Sequence, residues 1–166
     1  MSSESLLNSF MESTEAVGEL STEYLLCPEL DSCPATIKEV KFDEGSKNNG
    51  EKEVPWLAFT LRFNVDSEEA REVTGRDEVL VWGGRNFLAL TPDNQIDPLN
   101  NQGLARLVKL FNLEGLDFKE LFDSFPGQYC SVKVKHRALS NKEGPILDEE
   151  GNQRFLAEVT AVGKPE

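Results

Sequence analysis

Trp56 and Arg62 share one face of the segment Pro55–Val65 (PWLAFTLRFNV), and Trp82, Arg85 and Phe87 crowd the short run WGGRNF. Lys133, Lys135 and Arg137 alternate along Gln128–Ala138 (QYCSVKVKHRA), with no acid between Gln128 and Ser140. Aromatic planes stack on nucleobases at roughly 1–3 kcal/mol per base, and Lys or Arg tracks the phosphates between them. The combination is therefore the chemistry of single-strand nucleic-acid binding. Each residue also has a packing role open to it. Trp56 can cap a core, Trp82 can lie under a helix, and an exposed Lys-x-Lys-x-Arg strand can guard a sheet edge against association.

Catalytic chemistry finds no comparable constellation, and the expectation is a protein that is not an enzyme. The single histidine, His136, sits inside the Lys/Arg-bearing segment, where a partly buried structural role fits better than that of a base. No nucleophile elbow, phosphate loop or dinucleotide fingerprint is present, and Gly83-Gly84 reads as a turn. Cys27 and Cys33 are too far apart for a zinc knuckle and lack a second ligand pair. Asp93, Gln95 and Asp97 resemble a calcium loop only in part, because Pro98 stands where the loop needs glycine and Leu104 where it needs glutamate. Asp148, Glu149 and Glu150 read as solvated charge. Neither a cofactor nor a metal is expected.

A net charge of −13 on 166 residues argues against a polyanionic partner until its distribution is considered. Residues 1–32 hold Glu4, Glu12, Glu15, Glu19, Glu23, Glu29 and Asp31 with no Lys or Arg, so more than half of the net charge lies there. The chain thus reads as a flexible acidic N-terminal arm, residues 1–32, joined to a milder domain, residues 33–166. Within the arm, an amphipathic helix near Leu6 and disorder are both open. No stretch approaches the roughly 18 uninterrupted apolar residues of a membrane span, and the N-terminus lacks the basic and apolar regions of a signal peptide. A cytoplasmic protein is expected, within a host cell if the source is viral. Three cysteines are ordinary usage for a reducing compartment.

Hydrophobic periodicity supplies the elements. Pro34–Phe42 is strand-like, with Ile37 and Val40 out of phase, which predicts a bulge. A polar loop, 43–53, follows. In Pro55–Val65 the residues Leu57, Phe59, Leu61, Phe63 and Val65 fall on one face, while Trp56, Ala58, Thr60 and Arg62 take the other. An acidic connection leads to a third strand, Glu78–Trp82. Leu104, Leu107, Val108 and Phe111 then recur at helical spacing, and Phe118, Leu121, Phe122 and Phe125 form a second piece beyond a break near Gly115. Gln128–Ala138 alternates again, with Cys130, Val132 and Val134 inward, and Arg154–Val162 is the last strand. The order of three strands, helix and two strands predicts a mainly β, OB-like five-stranded Greek-key barrel with the helix between strands 3 and 4.

From about Pro34 to Val162 the chain resembles the small single-stranded DNA-binding proteins of tailed bacteriophages. The resemblance rests on PATIKEV, PWLAFTLRF, NNQGLARLVKLF and FPGQYCSVKVKHR. It implies a role in DNA replication or recombination, with single-stranded DNA as partner. Such proteins commonly carry an acidic C-terminal tail that recruits replication proteins and competes with DNA. Here the acidic segment is N-terminal, so replication proteins would meet that arm. The competing expectation is an acidic protein-interaction module, either a virion component or an inhibitor that mimics DNA. Self-association is left open.

Overall fold

The computed structural model describes residues 3–18 and 25–165. Glu19 and Glu23 of the acidic arm lie outside the described residues. The fold is mainly β, with 44% strand and 19% helix, and its main sheet is antiparallel and six-stranded. A helix α1 (Ser3–Glu12) precedes β1 (Leu30–Asn49) and β2 (Lys52–Val65). There follow α2 (Glu68–Thr74), β3 (Val79–Trp82), β4 (Asn86–Leu88), α3 (Gln102–Leu110) and α4 (Phe118–Asp123). The chain continues as β5 (Tyr129–Ala138), the small hairpin β6 (Ser140–Asn141) and β7 (Gly144–Pro145), and β8 (Phe155–Gly163). The sheet order is β3-β2-β1-β5-β8, with β4 also paired to β2.

The alternation in β2 places Phe59, Leu61, Phe63 and Val65 in the core, facing Cys130, Val132 and Val134 of β5 and Cys33, Ala35 and Ile37 of β1. The bulge in β1 falls between Ile37 and Glu39. It adds one residue, so that Ile37 and Val40 both pack inward. The α3–α4 pair lies over this core through its phenylalanines. Phe122 is the hub, with its ring centroid 5.1 Å from Phe59, 5.4 Å from Phe125 and 5.0 Å from Phe42. Gly115 separates the two helices in the left-handed region, at a φ of 85° that glycine adopts without steric cost.

Three features differ from the sequence reading. The expected loop 43–53 is instead the far half of a β1–β2 hairpin, paired without interruption from Glu39↔Arg62 to Asn49↔Lys52 and turned at Gly50. Its polar residues suit a ribbon wetted on both faces, which periodicity reads as loop. The acidic connection contains α2, capped by the Ser67 hydroxyl accepting from Ala70 N–H at 3.1 Å and closed by left-handed Gly75. The third strand is broken into β3 and β4, both lying along β2, so the sheet has six strands where five were expected. Gly83 N–H bridges the break by donating to Leu61 C=O at 2.8 Å.

The segment before β1 has two characters. Leu6, Leu7, Phe10 and Met11 of α1 are exposed. Cys27 is buried in the core, and its carbonyl oxygen lies 2.7 Å from His136 Nε2. His136 is otherwise largely exposed, and its N–H donates to Glu29 at 3.0 Å. Removing residues 1–18 is expected to leave the melting temperature unchanged. Removing 1–31 takes away Cys27, Leu30 and the Glu29 anchor, and is expected to cost about 2 kcal/mol or more, since a buried apolar side chain contributes roughly 1.5–3 kcal/mol. Thermal denaturation of the two truncations, followed by circular dichroism, measures the difference.

Candidate nucleic-acid interface

Past the bulge, alternation turns Glu39, Lys41 and Asp43 of β1 to the face opposite the core. Their register partners on β2 are Arg62, Thr60 and Ala58, and Gly45 lies opposite Trp56. On the other side of β2, Arg62 is paired with Trp82 and Ala58 with Phe87. Three aromatic side chains and two arginines thus share one outer surface.

At one end of this surface Trp56 and Phe87 meet edge to face, with centroids 5.6 Å apart. The Arg85 guanidinium lies 5.8 Å from the Trp56 ring and 5.9 Å from the Phe87 ring, within cation–π range of both. Trp56 reaches this position because Gly45 beneath it has no side chain: a Cβ there would stand 2.7 Å from the indole Cζ2. A groove of ≈ 660 Å³ opens between Ser46, Lys47, Val54, Pro55, Trp56 and Phe87, and Phe87 is 61% exposed. Toward the other end, the Arg62 guanidinium lies over the Trp82 ring at 5.1 Å. A second groove of ≈ 360 Å³ runs past Thr60, Trp82, Gly83, Gly84 and Arg85 to Arg137 and Glu158. Arg85 lines the second groove and lies within reach of the Trp56 and Phe87 rings that line the first.

The structure therefore brings Trp56, Arg85 and Phe87 together, sets Arg62 on Trp82, and adds Arg137 across the second groove from Trp82. Lys133 and Lys135 line neither groove. Neither tryptophan belongs to the buried core; both are half-buried on the outer surface. Four of the five expected cations already hold a carboxylate. Arg62 Nη1 is 3.2 Å from Glu39, Arg85 Nη2 is 3.5 Å from Asp43, Lys135 Nζ is 3.6 Å from Asp31, and Arg137 Nε is 2.6 Å from Glu158. Lys133 makes no ion pair among the described residues. Sequence reasoning missed Lys41 and Lys47 of β1 and the lining role of Thr60. Continuing the alternation past the expected bulge places Lys41 beside Glu39 and Asp43, so that signal was available.

Other residues with chemical potential are committed elsewhere. Asp97 accepts from Leu99 N–H and from the Asn100 amide at 2.8 Å each. Those bonds, the Asn100 amide first, hold its carboxyl below the usual range. Asp148 accepts from the N–H groups of Glu150 and Asn152 in a tight turn. Among the described residues no group of three His, Cys, Asp or Glu side chains is placed to hold a metal, and no helix is long and apolar enough to cross a membrane.

All three cysteines are free and buried. Burial pushes the Cys130 thiol up to about 11, and burial together with Cys33 and Glu69 does the same for Cys27. Both stay protonated and poorly nucleophilic at neutral pH. Native protein at pH 8 is expected to react slowly with iodoacetamide at all three sites, and rapidly once unfolded, as mass spectrometry would record. The sign with pH follows. From the ordinary thiol value of 9.0 up to about 11 the unfolded chain loses these protons first, so stability is full below that window and falls as pH rises through it.

No protein-family model matches the chain, and no curated protein is significantly similar to it in sequence. The surface itself yields a direct test of Trp56. Gly45→Ala would force the indole off β1, and it is expected to red-shift the tryptophan emission and open the Trp56–Phe87 contact while the fold persists. An unchanged emission spectrum would place Trp56 elsewhere than on Gly45.

Proposed function

We propose that the chain is a non-catalytic single-stranded DNA-binding protein, built on an OB-like barrel, that takes the strand across the outer face of β1, β2, β3 and β4. The observation that carries this reading is the set of half-exposed rings Trp56, Phe87 and Trp82, each within cation–π distance of an arginine, along two grooves of one outer surface. Bases present flat faces to such rings whatever their sequence, and arginine between rings can reach the intervening phosphate. Duplex DNA hides those faces, so the surface favours unpaired strands.

The barrel reading has support from topology. β1 pairs with both β2 and β5, β5 pairs with β8, and Gly83 at the end of β3 bridges Val159 of β8 in parallel. The first and last strands of the sheet order therefore approach each other, as closure requires. The third strand precedes the helices and the fourth follows them, in keeping with the OB order. The resemblance to phage single-strand binders fits the same picture, with replication or recombination as the setting.

One observation favours a second reading. The apolar residues of α1 are exposed on an acidic segment, which suits docking to another protein, and the net charge of −13 suits a partner that is not a polyanion. The two readings part in a titration with an unstructured oligonucleotide. Strand binding is expected to quench tryptophan fluorescence, and Trp56→Ala or Trp82→Ala to weaken it by about 1–3 kcal/mol without unfolding the protein. Absence of quenching and of gel retardation at about 50 mM salt, where phosphate contacts are strongest, would leave the protein-interaction module standing.

A further inference from the structure

The cations of the proposed strand site are not waiting for phosphate. Glu39 of β1 and Glu158 of β8 lie on the strands beside the cations they hold, and Asp43 of β1 reaches Arg85 across β2. The three cationic side chains remain open to solvent, at 34% for Arg62, 51% for Arg85 and 63% for Arg137. Each can be reached by a ligand without unfolding its surroundings. Arg137 gives its Nε to Glu158, and its Nη groups make no hydrogen bond among the described residues. Arg62 is held less completely, since its Nε is shielded from solvent and lacks an acceptor.

Arg62 and Glu39 are open on both sides, and a pair this exposed contributes about 0–1 kcal/mol, so its carboxylate is displaced at little cost. Asp43 and Glu158 are less open, at 27% and 17%, and cost more to release. A phosphate offers arginine the same charge-assisted, fork-like bonding. We infer that Glu39, Asp43 and Glu158 belong to the strand-binding site as resident counter-ions, exchanged for phosphate at Arg62, Arg85 and Arg137 when a strand binds. This inference rests on the single-strand reading above. A cation already neutralised by the protein gains little when phosphate replaces carboxylate, and the released carboxylate gathers salt cations of its own. Affinity then comes mainly from stacked bases, depends weakly on salt, and gives dense polyanions such as duplex DNA little to hold.

The experiment is a fluorescence titration of the full chain with oligothymidylate, from about 50 to 300 mM salt. The wild-type protein is compared with the triple variant Glu39→Gln, Asp43→Asn, Glu158→Gln and with the three single variants. Glu149→Gln serves as control, because it removes the same charge from an exposed loop where Glu149 holds no cation among the described residues. The expected result is a shallow slope of log affinity against log salt for the wild type. The triple variant should bind about tenfold or more tightly at low salt and steepen the slope by about 2, or 0.7 for each of three phosphates on a single strand. The control should leave the slope unchanged.

A triple variant with the wild-type slope and affinity would overturn the exchange, as would a control that matches the single site variants. If the triple variant melts early, the single variants decide: a slope steeper by about 0.7 in each supports the exchange, and the wild-type slope in all three overturns it. Failure of every protein to bind the strand removes the single-strand reading as well. Binding by all with equal slopes removes only the exchange.

Discussion

The β1–β2 ladder is the constraint from which the rest of the structure follows. It runs from Ala35↔Val65 to Asn49↔Lys52 with a single shift of register, between Ile37 and Glu39. Without that one extra residue, the inward phase set by Ala35 and Ile37 would put Glu39 and Lys41 in the core and Val40 in water, at a cost no hydrogen bonding within the sheet could offset. With it, Phe59, Leu61 and Phe63 face the core, where Phe59 meets the Phe122 and Phe125 rings, and Arg62, Thr60 and Trp56 form the other face. Core and surface are two sides of one register.

The same ladder explains why the surface is both aromatic and acidic. Every outward position on β2 has an outward neighbour on β1, and β1 supplies Glu39, Lys41, Asp43 and Gly45 in turn. Glycine gives Trp56 a flat bed, and the two acids hold the two arginines that lie against the rings. Both arginines of this face are consequently balanced by carboxylates, in a chain whose total is strongly negative.

What could be read from the sequence was whatever periodicity or residue type alone decides. The run Leu57 to Val65 alternates strictly enough to fix its own inward face, and Leu104 to Phe111 has the spacing of a helix packed on one side. The residues of WGGRNF announce an aromatic and cationic surface by identity. Their grouping was hidden, because Phe87 meets Trp56 only through the Ala58↔Phe87 register, and Arg137 shares a groove with Trp82 only because β8 lies against β3. The far hairpin was missed because Lys47, Asn48, Lys52 and Glu53 are wetted on both faces and show no period. Helix α2 was missed although its Ser67 cap and Gly75 stop were both present, since seven residues give too short a pattern for periodicity to reveal.

The far end of the β1–β2 hairpin carries a consequence of a different kind. Beyond Trp56 no described strand flanks this two-stranded ribbon on either side, so a row of backbone donors and acceptors runs along each margin toward Gly50. Such margins invite pairing with other chains unless something discourages it. Lys47, Glu51, Lys52 and Glu53 are all exposed there, with both signs of charge interleaved around the turn. An approaching strand must desolvate those charges before it gains its first hydrogen bond, and that barrier favours a projecting ribbon that stays single in a crowded solution.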